Sequence, residues 1–168
     1  MPAIPHRSFT TPPPDTMLWR YMDFTKFVSM LESKSLFFTR SDLFEDPFEG
    51  TYPRGNIEDR KRFISPLPDA PYWQTTKSYE EERKSARRCT YISCWHANDF
   101  ESAGMWRLYA QTKEAVAIRT TVGSLFQALP AEAMVGRVDY IDFENAKIPS
   151  DNGLWPFLHK RRSFEHER

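Results

Sequence analysis

The feature that most constrains this chain is its aromatic load: 13 phenylalanines, seven tyrosines and five tryptophans among 168 residues. Rings of this size bury large areas and pack offset or edge to face, so the interior must be built around them. A chain of 168 residues fits one domain, which buries roughly two thirds of the surface exposed by its unfolded form and needs no staple to fold. Lysine plus arginine and aspartate plus glutamate both number 23, so no global field draws the chain to nucleic acid or to an acidic membrane. Any site for a charged ligand is therefore local. If Cys89 and Cys94 share a strand, their odd spacing points them to opposite faces, which disfavours a local disulfide or a shared metal. No apolar run approaches the roughly 20 residues needed to span a bilayer, and the N-terminus lacks the basic-then-apolar order of a secretory signal. The expected compartment is the cytoplasm, with no membrane contact.

Residues 1–16 carry five prolines and little apolar content, so they read as a flexible or polyproline-like lead outside the fold. A short aromatic strand follows at Met17 to Tyr21, then Asp23 as the N-cap of a helix over 24–33, whose Phe24, Phe27, Val28 and Leu31 recur at helical spacing. Leu36 to Phe38 reads as a second strand. Ser41 to Gly50 mixes acids, a proline and a glycine, which predicts an ordered loop pinned by Phe44 and Phe48. Residues 51–75 look irregular, while 77–88 form a charged surface helix whose acids precede its bases, as the helix dipole prefers. Thr90 to Trp95, β-branched and aromatic, reads as the best strand in the chain. Further elements are a helix over 102–111, a strand from Ala115 to Thr120, a short helix from Val122 to Leu129 and a strand from Met134 to Ile141. The expected architecture is a single α+β domain over 17–168, a small twisted, mainly antiparallel sheet flanked by helices, with a cleft lined by the strand that starts at Tyr91.

Four stretches together carry a resemblance: Leu18 to Tyr21, the loop Asp46-Pro47-Phe48-Glu49-Gly50, the run from Ser93-Cys94-Trp95 to Met105-Trp106-Arg107-Leu108-Tyr109-Ala110, and Lys160 with Phe164-Glu165-His166-Glu167-Arg168. In that order they resemble the domain-of-unknown-function family 2971, a largely bacterial family. Its members usually continue past the final acidic motif, so the resemblance implies a domain incomplete at its C-terminus.

More distantly, an arginine on a first strand, a serine on a middle strand and a late Glu-x-Glu are similar to the arginine-serine-glutamate ADP-ribosyltransferases. The resemblance places these roles at Arg20, Ser93, and Glu165 with Glu167, with NAD as substrate and a protein or nucleic acid as acceptor. The chemistry has reasons for them. An arginine grips a pyrophosphate bidentately, and a hydroxyl orients the ribose on the nicotinamide side. A carboxylate beside the breaking glycosidic bond stabilises the developing positive charge, which the resemblance implies for Glu167, while Glu165 aligns the nucleophile. Tyr91 lies at the head of the cofactor strand. This reading needs an extended tail, because Glu165 and Glu167 share a face in a strand and diverge in a helix.

Plainer readings compete. Arg20 serves as an anchor for a surface carboxylate, Ser93 as filler of a core strand, and the glutamates as ion-pair partners within Lys160 to Arg168. A metal site is the weaker idea, since neither Cys94, His96 and Asp99 nor the acids Asp42, Glu45, Asp46 and Glu49 have ligand spacing diagnostic of zinc or calcium. Trp95, Trp106 and Tyr109 suit base stacking, but at such spacing they suit a core better. Lys160 to Arg162 is a phosphate-binding run blunted by the glutamates that follow. The rival function is a non-enzymatic binding module of a bacterial defence or toxin-type system.

Overall fold

The first strand, β1 (Met17–Asp23), supplies Leu18, Tyr21 and Met22 to the interior and pairs along its whole length with β5 (Ala115–Thr121), from Met17 opposite Thr121 to Asp23 opposite Ala115. On its other edge β1 pairs with β4 (His96–Ala97), which gives a three-stranded antiparallel sheet in the order β4-β1-β5. The computed structural model describes residues 3, 5, 6, 9–64, 72–110 and 114–167. The expected Gln111 end of the 102–111 helix and residues 65–71 of the irregular stretch lie outside these.

The chain is α+β, with helices beside small, mainly antiparallel sheets. It divides into two compact units. The first comprises residues 1–37, 93–137 and 166–168, and the second 38–92 and 138–165. In the first unit α1 (Phe24–Ser33) starts where expected, because the Asp23 carboxylate accepts the Lys26 backbone N–H at 2.9 Å. Lys34, in the left-handed region, ends it. α4 (Ala103–Tyr109) is capped by Ser102 and meets β1 through Tyr21. The Tyr21 ring meets Trp106 edge to face at 5.0 Å, and its hydroxyl accepts the Ser102 N–H at 2.7 Å. α5 (Val122–Ala128), capped by Thr121, buries Val122 and Leu125.

The described residues of the proline-rich lead dock within this unit, which corrects the expectation that they lie outside the fold. The buried Ala3 donates its N–H to the carbonyls of Phe126 and Leu129, Gly123 N–H bonds the Pro14 carbonyl at 2.8 Å, and Arg137 N–H bonds that of Thr10. Proline removes a donor but leaves its carbonyl free to accept, so a proline-rich strap can still dock.

In the second unit β2 (Thr39–Arg40) pairs antiparallel with β3 (Tyr91–Ile92), and β6 (Asp139–Ile141) runs parallel to β7 (His159–Arg161). The strand expected over Leu36 to Phe38 begins only at Thr39, and the one over Met134 to Ile141 only at Asp139. Two helices replace the irregular stretch, α2 (Arg54–Ile64) and α3 (Tyr72–Cys89), the latter starting ahead of the expected residue 77. α2 is held by distant chain. Asn56 donates to the Ile148 carbonyl at 2.7 Å and accepts the Ile148 N–H at 2.9 Å, while Lys147 pairs with Asp59 at 2.6 Å. Gly55 belongs here because a Cβ would lie 2.8 Å from Lys147 Cγ and 3.0 Å from the Ala146 carbonyl.

The loop from Phe44 to Gly50 is ordered by Asp46. Its carboxylate accepts the Phe48 N–H at 3.0 Å and the Arg161 guanidinium at 2.8 Å. Arg161 lies 4.3 Å from the Phe48 ring centre and 5.3 Å from that of Phe164, and Lys160 lies 5.9 Å from both Phe44 and Phe164. Alternating rings and cations thus tie this loop to β7 and to the 3-10 turn that follows it. No helix among the described residues is long and apolar enough to cross a membrane.

Candidate functional site

Arg20 sits in the middle of β1 with its guanidinium partly buried. Its Nη1 donates to Ser93 Oγ at 2.5 Å, its Nη2 donates to the Phe37 carbonyl at 2.8 Å, and its Cζ lies 5.8 Å from the centre of the Trp95 ring. The two sequence-predicted residues, 73 positions apart, are therefore brought into direct contact. Strand pairing does this: β1 and β4 are neighbours, with Trp19 opposite His96, so the loop 93–95 that leads into β4 runs beside Arg20.

The electrostatics at Arg20 are unusual for an arginine. Among the described residues it forms no ion pair: its partners are a hydroxyl, a carbonyl and a ring, with the Cys94 sulfur acting on it through charge. Burial pushes its pKa below the ordinary arginine value, and Cys94 opposes that in part. The cation is partly desolvated and has no carboxylate partner among the described residues. Among the described residues, three of its five N–H groups stay uncommitted, and the Ser93 hydroxyl, which accepts from Arg20, turns its own proton elsewhere. A guanidinium fork beside a hydroxyl donor fits an oxyanion such as a phosphate.

The run from Thr90 to Trp95 is not the single strand expected. Tyr91 and Ile92 pair with β2 in the second unit, and the chain then leaves extended pairing until His96 joins β1 in the first. Tyr91 is exposed and belongs to the second unit, whereas Arg20 and Ser93 belong to the first. β-Branched and aromatic residues favour extended backbone, but hydrogen-bond partners on two different strands decide where pairing occurs.

The tail departs most from expectation. Residues Arg162 to Glu167 form a 3-10 turn, not an extended segment. With three residues per turn, positions two apart point roughly 240° apart, so Glu165 and Glu167 do not share the face that the transferase arrangement requires. Glu165 is exposed in the second unit. Glu167 belongs to the first, where its backbone carbonyl bonds Nδ1 of the buried His96 at 3.0 Å. A buried imidazole captures a carbonyl there, and the main chain curls to deliver it.

Of the remaining candidates, Trp106 packs on Tyr21 and donates its indole N–H to Glu101 at 3.0 Å, which makes it part of the α4–β1 contact. Cys89 and Cys94 are exposed, and neither forms a disulfide among the described residues. Among the described residues, no three His, Cys, Asp or Glu side chains cluster so as to hold a metal ion. Sequence reasoning missed the Phe37 carbonyl as a partner of Arg20. Phe37 reads as a strand residue, yet its ring is exposed and its main chain does the work, for which no side-chain pattern gives a signal. No family model, curated protein or solved structure matches this chain.

Proposed function

We propose that this chain is a binding module whose first unit holds the pyrophosphate of an NAD-like dinucleotide at Arg20 and Ser93, without cleaving it. The observation that carries the reading is the partly buried Arg20 guanidinium, which has no carboxylate partner among the described residues and touches the Ser93 hydroxyl. A cation taken partly out of water and left without a counter-charge is unfavourable, and an arriving oxyanion relieves that cost. Trp95 beside the guanidinium adds an aromatic wall to the same place.

This reading keeps the arginine–serine half of the arrangement implied by the ADP-ribosyltransferase resemblance and leaves out its glutamate half. Transfer of ADP-ribose needs a carboxylate beside the sugar and a second one aimed at the nucleophile. The 3-10 turn at Arg162 to Glu167 sends the two side chains in different directions.

Calorimetric titration of the whole chain with NAD, ADP-ribose, AMP and adenosine tests the proposal. Ligands with a pyrophosphate should bind at least about tenfold more tightly than adenosine, and Arg20→Lys should remove most of that preference, since a point charge cannot replace a bidentate fork. Ser93→Ala should weaken binding less. NAD should remain intact in prolonged incubation, equally so with Glu167→Ala. Adenosine binding as tightly as NAD, or full affinity in Arg20→Lys, overturns the binding site; NAD consumption that disappears in Glu167→Ala restores the transferase reading instead.

A further inference from the structure

In the first unit β5 ends the three-stranded sheet, with β1 on one side and no strand on the other among the described residues. The ladder shows which of its groups face outward. Phe24 N–H bonds the Glu114 carbonyl and Val122 N–H that of Thr16, so the residues of β5 that exchange bonds with β1 are Val116, Ile118 and Thr120. Ala115, Ala117, Arg119 and Thr121 therefore turn their N–H and C=O groups to the open edge. Thr121 caps α5 and gives its carbonyl to the first turn of that helix. No other backbone bond among the described residues takes up the outward groups of Ala115, Ala117 or Arg119.

Such an edge is a template for another strand, and proteins that keep it single blunt it with proline, lysine, a bulge or a short length. β5 has none of these: its seven residues, Ala-Val-Ala-Ile-Arg-Thr-Thr, run in unbroken register with β1. The charges along it select the partner. Glu114 precedes the strand, Asp23 stands opposite Ala115 on β1, and the exposed Arg119 lies toward the other end. An antiparallel copy of the same strand therefore brings base to acid at both ends. The register follows from the same groups. A two-fold axis at Arg119 sets two guanidiniums opposite each other, which is unfavourable, and an axis at Ile118 calls on the committed Thr121 carbonyl. An axis at Ala117 pairs Ala117 with its own copy and each Ala115 with an Arg119, which uses the free groups alone. Val116 then faces Ile118, a pair of β-branched side chains suited to a sheet. The two Arg119 side chains stand four residues apart, roughly 14 Å along the strands, beyond the screening length of about 10 Å in 0.1 M salt.

We propose that β5 is the interface of a homodimer, in which two copies of this chain pair antiparallel along this edge about a two-fold axis at Ala117 and join their sheets into one of twice the width. One strand edge covers less than the roughly 800 Å² per partner of a stable interface, so the association is weak, with a Kd on the order of 100 µM. This proposal does not depend on the Arg20 site.

Sedimentation velocity of the whole chain from about 10 µM to 1 mM should show a concentration-dependent equilibrium of monomer and dimer. Arg119→Glu, which sets acid against acid at both ends, should weaken association at least about tenfold. Ala117→Pro removes an outward N–H that β1 does not use, and should bring the dimer below detection. Amide exchange followed by NMR distinguishes this edge from any other contact. Between about 50 µM and 1 mM the N–H groups of Ala115, Ala117 and Arg119 should slow about threefold, as the monomer fraction falls, while those of Val116, Ile118 and Thr120 are protected at both concentrations. A monomer throughout, an assembly larger than a dimer, undiminished association in Arg119→Glu or in folded Ala117→Pro, or equal exchange of the three outward amides at both concentrations overturns the proposal.

Discussion

Gly50 sits at φ 67°, and a Cβ built there would lie 2.4 Å from Cε1 of Phe157, which is itself buried. Two costs therefore fall on one substitution, the left-handed backbone that L side chains resist and a collision with a packed ring. Gly50→Ala should destabilise the chain by about 2–4 kcal/mol in urea unfolding, adding roughly 1 kcal/mol of backbone strain to an overpacking term of about 1–3 kcal/mol. In a double-mutant cycle with Phe157→Leu, which replaces the ring by a smaller branched side chain, part of that loss should return. Strict additivity of the two substitutions would show that the contact is not the cause. The residue scale is also where the proposed site was legible: Arg20 and Ser93 stood out by residue type and order, and their contact follows from the β1–β4 pairing.

At the scale of elements, α1 and α2 illustrate opposite ways of making a helix. α1 follows from its own sequence, in which an acid precedes a 3.6-residue apolar repeat. The Asp23 carboxylate accepts the Thr25 hydroxyl and both the backbone and side-chain N–H groups of Lys26, which holds its pKa well below the usual carboxylate range. A depressed carboxylate pKa stabilises the folded state above the unfolded value, near pH 4, and the stabilisation is lost as pH falls through the folded value. Asp23→Ala should therefore lower Tm by a few degrees at pH 7, and the difference from wild type should shrink below about pH 4. A gap as large at pH 2 as at pH 7 would exclude ionisation of the cap as its origin. α2 instead begins with Arg54 and Gly55, repeats poorly, and depends on the clasp between Asn56 and Ile148. Asn56→Ala leaves the Ile148 N–H and carbonyl without these partners and should cost about 1–3 kcal/mol, with accelerated amide exchange along 54–64. Asn56→Asp keeps the acceptor and should fall between the two.

For the whole molecule, the two compact units are each assembled from separated stretches, with the chain passing between them after residues 37, 92, 137 and 165. Sequence reasoning expected one domain over 17–168, because neither composition nor a linker marks these passages. Arg20, Ser93 and Trp95 all lie in the first unit, so a pyrophosphate ligand should slow amide exchange first in β1 and residues 93–97. Protection confined to 54–64 and 139–161 would move the site to the other unit. What the sequence by itself determined was the elements whose side chains repeat at their own period and carry their own caps: β1, α1, β5 and α5. Only the tertiary structure decided the docked lead, α2, the division of residues 90–97 between two sheets and the curled tail. Each of these depends on a hydrogen-bond partner remote in the chain, such as Phe126, Ile148, Thr39 or His96, and a backbone bond to a distant residue leaves no periodicity in the segment that makes it.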